Sequence, residues 1–254
     1  MERIAHEPAY VLHHYDWSET GLVIETLTLH YGRVALIAKG AKRPCSNFRT
    51  VLLPMQPLLL SWSGKSEVRT LKKAEWGGGP VMPGGAVLTA CWYANELVLR
   101  LLAREDPHPA LYRAYAAFMT GAAGGGLSLS AGLRAFELVL LRRIGLLPDL
   151  GCLSDGDDLQ TEAAYALLPG VGLQPTDADP GGLSGRDWLL LQSALLDDDS
   201  FAALIGVLAA LTPPQRNGLR RSLRALLDDH GTRRLHTRDL LHSLRQFSLP
   251  SPGV

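Results

Sequence analysis

Leu22-Val-Ile-Glu-Thr-Leu-Thr-Leu29 and Arg33-Val-Ala-Leu-Ile-Ala38, joined through Tyr31-Gly32, decide the fold class. Both runs are short, rich in aliphatic and β-branched residues and separated by a turn signal, so they predict the two strands of a hairpin. Working outward, Tyr10–Tyr15 before them and Pro57–Trp62 and Val68–Lys72 after them share this character, with turns at Ser18–Gly21 and Ser63–Gly64. Five such strands, with a basic excursion from Lys39 to Arg49 between the third and fourth, predict a small OB-type β-barrel.

Beyond Lys73 the pattern changes. The Gly/Pro-rich stretch Trp76–Gly85 reads as a linker, and the periodicity after it is helical. The predicted fold class is therefore α+β: a five-stranded OB-type barrel over residues 1–78, then an all-α domain over 79–254. Helices are expected over Ala86–Arg104, Ala110–Thr120, a segment capped by Ser130 and ending near Gly145, Asp187–Leu196, Ser200–Leu211, Pro213–Asp228 and Thr237–Phe247. Ser200 is the expected N-cap of its own helix. Residues 149–185, rich in Gly, Asp and Pro, read as an irregular acidic loop region with at most a short element near Thr161–Leu168.

The formal net charge is +0, yet the charges are segregated. Between Arg33 and Lys73 stand nine basic residues (Arg33, Lys39, Lys42, Arg43, Arg49, Lys65, Arg69, Lys72, Lys73) against one acid, Glu67. Asp149–Asp199 holds eleven acids and one base, and Arg216–Arg245 holds eight arginines against three aspartates. A solvated surface with no partner mixes its signs, so a one-signed barrel points to a polyanion. Arg33, Lys39, Lys42, Arg43, Arg49 and Lys72 are the candidate phosphate contacts there. Phe48, Trp62 and Trp17 are aromatics near the patch that either stack bases or pack inward. Arg216, Arg220 and Arg224 recur every fourth residue opposite Leu219 and Leu223, which makes an amphipathic helix with a basic outer face and a second candidate DNA contact.

Other chemistries find little footing. Gly64-Lys65-Ser66 lacks the glycine a phosphate-binding loop needs five residues earlier, where Leu59 stands, and is followed by strand-like alternation. His230, His236 and His242 are six residues apart, so they do not share a helix face. No cysteine pair has zinc-ligand spacing, and no nucleophile elbow is present. No catalytic residue, metal or cofactor is assigned. The longest apolar run, Phe201–Leu211, falls short of the roughly 20 residues of a membrane span. The three scattered cysteines (Cys45, Cys91, Cys152) suggest a reducing compartment, and the expected location is cytoplasmic, on the nucleoid.

Tyr10-Val11-Leu12-His13 followed by Asp16-Trp17-Ser18-Glu19-Thr20, then Gly32-Arg33-Val34 and Ala38-Lys39-Gly40-Ala41-Lys42-Arg43, resembles the N-terminal signature of bacterial RecO. The likeness continues through Leu52–Leu60, Val68–Leu71, Tyr93-Ala94-Asn95-Glu96-Leu97 and Leu133-Arg134-Ala135-Phe136-Glu137-Leu138, with a weaker echo at Arg238-Asp239-Leu240-Leu241. It implies an OB-fold domain, a helical C-terminal domain and a non-catalytic recombination mediator. Such a protein binds single- and double-stranded DNA, anneals complementary strands, engages the acidic tail of single-strand-binding protein and works with RecR to load RecA. By the same resemblance Arg134 is the tail-binding position. Leu138 beside it, and Arg142 and Arg143 further along the helix, complete the candidate peptide site. Some members carry a four-cysteine zinc site after the motif matching Leu147-Pro148-Asp149-Leu150; here only Cys152 remains, among Asp155, Asp157 and Asp158. The rival reading is a scaffold whose barrel binds an acidic protein instead of DNA.

Overall fold

The two strands of the central hairpin become β2 (Leu22–Thr28) and β3 (Gly32–Ala38) in the computed structural model, which describes residues 3–79, 84–176, 181–232 and 235–237. Together with β1 (Arg3–Asp16), β4 (Pro57–Ser63) and β5 (Val68–Trp76) they close a barrel in the order β1-β2-β3-β5-β4. Every pairing is antiparallel except β3 with β5. This is the expected OB-type arrangement. Alternate residues fill the interior, among them Val11, Ile24, Val34, Leu36, Leu60, Trp62 and Leu71. Trp62 is thus core, not a stacking surface.

β1 is longer than its apolar run. Its first half pairs with β4 and its second half with β2, so one strand closes the barrel on both sides. Register shifts between Ile4 and Glu7 and between Val11 and His13 bend it around the cylinder, and each extra residue increases local twist. Gly32 turns β2 into β3 at φ +66°; a Cβ there would stand 2.1 Å from the Asp106 carbonyl oxygen, so only glycine fits.

The contacts group the chain into two compact units, one built on Met1–Gly126 and the other on Leu127–Asp239. The expected boundary at 78/79 separates strands from helices, but α1 (Gly85–Leu101) and α2 (Pro109–Ala123) belong with the barrel unit. The Asn95 amide donates to the Leu12 carbonyl at the β1 bulge (2.9 Å) and accepts from the Tyr115 hydroxyl (2.5 Å). Tyr10 of β1 packs on Tyr115 and Tyr112 of α2, with ring centroids 5.0 and 5.7 Å apart.

The second unit is built around α3 (Leu129–Arg143), which is buried without interruption from Ala135 to Leu141. Its N-cap is Ser128, not Ser130. α4 (Gly185–Leu196), α5 (Ser200–Ala210) and α6 (Pro213–Leu227) follow, and α5 is capped by Asp199, whose carboxylate accepts from the Ala202 amide, not by Ser200. Asp187 serves two helix starts: it closes a capping box with Ser184 on α4 and accepts from Gln215 on α6 at 2.8 Å. Gly218 of α6 lies so close to Gly181 that a Cβ would meet the Gly181 carbonyl at 1.8 Å.

The segment 149–185 is not wholly irregular. β6 (Ala164–Leu168), β7 (Gly172–Pro175) and β8 (Leu183–Ser184) form a small sheet in the order β7-β6-β8, fixed to α4 by the Trp188 indole donating to the Tyr165 carbonyl (3.2 Å). Beyond its first residue the helix expected over Thr237–Phe247 lies outside the described residues, as does the Arg238–Leu241 motif.

Burial gives the first unit a pH signature. It pushes the Cys91 thiol up to about 11 from 9.0 and raises the Tyr10, Tyr112 and Tyr115 phenols above 10.0. Because these acids hold their protons more tightly when folded, the stabilisation is complete below about pH 9 and is lost as pH rises through the folded values. The thermal unfolding midpoint should therefore hold steady to about pH 9 and fall from there towards pH 11, a trend that differential scanning calorimetry across that range checks.

Candidate nucleic-acid interface

Glu25 sits on the outer side of β2 with its side chain only 4% exposed. A carboxylate this far from water requires cations, and Arg104, just beyond α1, bonds it directly while Arg33 Nη1 stands 3.9 Å away. Arg104 also reaches Glu67 (2.6 Å), and Arg69 pairs with Glu105 (2.9 Å). Arg33 donates to the Leu99 carbonyl (2.8 Å), and its own carbonyl accepts from the Glu105 amide (2.9 Å). The hydrogen bond to Glu25 raises the Arg104 pKa further above its ordinary value. This lattice of three arginines and three glutamates fastens the barrel to the segment after α1.

The lattice redistributes the expected site. Arg33, counted as a phosphate contact from sequence, is 17% exposed and committed inward; it is withdrawn from the interface because the buried Glu25 needs it. Lys42 remains at the surface but lies 3.3 Å from the Asp16 carboxylate. Lys73 is paired with Glu75 (2.8 Å), whose carboxyl the Lys73 hydrogen bond lowers below its usual range. Lys39, Arg43, Arg49 and Lys72 are exposed and, among the described residues, have no ion-pair partner; Lys65, on the β4–β5 turn, joins them.

Local structure keeps these cations outward. The excursion after β3 is a succession of tight turns, with Arg43 N–H on Gly40 O (3.1 Å), Arg49 N–H on Ser46 O (3.2 Å) and Leu52 N–H on Phe48 O (2.9 Å). Ala41, Phe48, Val51 and Leu52 pack against the barrel core, so the polar positions between them face water. Phe48 is thereby an anchor instead of a stacking ring. Opposite Ser61 and Trp62 of β4 a register shift makes Lys72 an extra residue in β5, which places Lys72 and Lys73 consecutively at the surface where strict alternation would hide one of them.

In the second unit, Arg216, Arg220 and Arg224 line the exposed face of α6, opposite Leu219, Leu223, Leu226 and Leu227. Arg224 Nε lies 3.7 Å from Asp228. The candidate peptide site on α3 is only partly open. Leu138 is fully buried and belongs to the core, since α3 is enclosed on almost every side. Arg134 is 12% exposed and donates to the fully buried Glu137 at 2.6 Å. Arg142 is half-buried and Arg143 exposed in the last turn, where positive charge favours the helix dipole.

Sequence reading passed over Glu25 and Glu105 and took Glu67 only as the one acid of the basic stretch. Glu25 could have been suspected, as a lone acid in the apolar run Leu22–Leu29. Nothing in the sequence ties Arg104 to it across that distance. Among the described residues no group of three or more His, Cys, Asp or Glu side chains is placed to hold a metal ion, and no helix is long and apolar enough to cross a membrane.

The strand order and closure define an OB-fold protein. A family model described as "Recombination protein O N terminal" matches residues 1–79, and one described as "Recombination protein O C terminal" matches residues 85–239. A protein of Variovorax paradoxus (strain S110) called DNA repair protein RecO is 49% identical over 250 residues, 96% of this chain and 97% of its own length. Proteins of the same name from Acidovorax ebreus (strain TPSY) and Albidiferax ferrireducens are 49% and 46% identical, covering 96% and 98% of this chain and 98% and 99% of their own. The chain belongs to the RecO family of DNA repair proteins.

Proposed function

We propose that this protein is a non-catalytic recombination mediator acting in the cytoplasm on nucleoid DNA. It binds single- and double-stranded DNA through the barrel cations Lys39, Arg43, Arg49, Lys65 and Lys72, with Lys42 joining when phosphate displaces Asp16. The observation that carries the reading is the sorting of charge: the lattice neutralises the acids Glu25, Glu67 and Glu105, while these five cations face water with no ion-pair partner among the described residues. Each phosphate they neutralise releases condensed counterions, which drives association. Arg216 and Arg220 on α6, with Arg224, supply a second cationic surface. Two strands held with their repulsion screened can meet, and base pairing then provides the free energy of annealing.

On the same reading the basic end of α3 receives the acidic tail of single-strand-binding protein. Arg142 and Arg143 meet its carboxylates, and Arg134 supports the site from its pairing with Glu137. Engagement of RecR and loading of RecA complete the role that family membership supports.

Converting Lys39, Arg43 and Arg49 together to Glu should weaken single-stranded DNA binding by roughly two orders of magnitude at low salt, and should flatten the slope of log affinity against log salt by about 2. Unchanged affinity removes the barrel from the site; equal displacement of DNA by polyglutamate on the wild-type protein marks the acidic-protein scaffold instead. For the tail, titration of a labelled acidic peptide ending in Phe should show about a tenfold loss in the double variant Arg142→Ala, Arg143→Ala. These substitutions leave Glu137 paired, so undiminished binding clears both arginines from the site.

A further inference from the structure

We propose that Tyr15 and Trp17 form a base-stacking platform that makes the barrel favour single-stranded over duplex DNA; the inference rests on the DNA-binding reading above. Tyr15, Val23, Ile37 and Thr70 lie in register across β1, β2, β3 and β5. They form one row on the outer face, since the intervening Ile24 and Leu36 fill the interior. One end of this outer face is closed by the Glu25 lattice, by α2 packing on Tyr10 and by the α1 contact at Leu12. Towards the other end Val23 and Ile37 are half-buried and Tyr15 is 51% exposed. β1, β3 and β5 run in the same direction, so one alternate step beyond Tyr15, Ile37 and Thr70 come Trp17, Lys39 and Lys72 at the same end. All three are exposed, Trp17 at 52%.

The rings are held, not loose. His13 and Tyr15 lie on one side of β1 with ring centroids 4.5 Å apart. The Trp17 amide donates to the Gly21 carbonyl (3.3 Å), and the Gly21 amide donates to Ser18 Oγ (2.9 Å). The indole rests by one edge over Gly21, where a Cβ would stand 2.9 Å from the ring. The basic loop is tied to the same turn, with the Lys42 amide on the Thr20 carbonyl (2.9 Å) and its ammonium near Asp16. Half-exposed, prepositioned rings beside cations suit a flexible polyanion that offers planar apolar faces. Single-stranded DNA does so, whereas a duplex keeps its base faces stacked inside.

The test measures full-length protein binding to an oligothymidine and to a duplex of equal length over a salt series. Trp17→Ala should weaken oligothymidine binding by roughly five- to a hundredfold, the range seen on removing one stacking ring. Its salt slope and its duplex affinity should stay at wild-type values. Tyr15→Ala should act in the same direction, and Trp17→Phe should recover most of the loss. Equal losses for both DNA forms, or none for either, overturn the platform. Wild-type protein that binds neither form overturns the DNA-binding reading itself, and the platform with it.

Discussion

A single carboxylate, Glu25, is removed from water on the outside of the barrel, and the surrounding architecture answers to it. An unpaired charge there would be strongly destabilising, so Arg104 and Arg33 converge on it and recruit Glu67 and the Glu105–Arg69 pair into one lattice. The lattice spans β2, β3, the β4–β5 turn, the start of β5 and the segment after α1. It therefore decides two things together: which end of the outer sheet face is covered, and which cations are left for a partner.

Residue chemistry fits this division. Arg33, Arg69 and Arg104 supply planar, multidentate donors that satisfy several oxygens in a partly dry setting. The outward set adds to Arg43 and Arg49 the lysines Lys39, Lys65 and Lys72, whose charges are compact and strongly hydrated. A count of basic residues treats both groups alike. The structure separates arginines that fasten the barrel from cations that face water, and the open end of the face carries the exposed rings of Tyr15 and Trp17 beside Lys39 and Lys72.

Much of this was legible beforehand. The five strands and the helices follow from periodicity and turn residues, and the basic loop and the α6 stripe from charge and spacing. The errors have physical causes. β1 runs back to Arg3 because it pairs with β4, a long-range closure that the local sequence Arg3–Pro8 does not announce. Ser130 and Ser200 looked like caps by type, but Ser128 and Asp199 precede the first helical residues. Leu138 stands in the candidate peptide site on sequence grounds, whereas α3 is buried without interruption from Ala135 to Leu141 and takes it into the core. Short strands β6 to β8 draw their stability from Trp188 and from one another, not from a visible alternation.

The most direct test compares the salt dependence of oligothymidine binding for Arg33→Gln and Lys39→Gln in the full-length protein. Lattice and interface being separate, Lys39→Gln should flatten the slope of log affinity against log salt by about 0.7, one cation's worth on a single strand, while Arg33→Gln leaves it at the wild-type value. A slope that flattens for Arg33→Gln and not for Lys39→Gln would contradict the account.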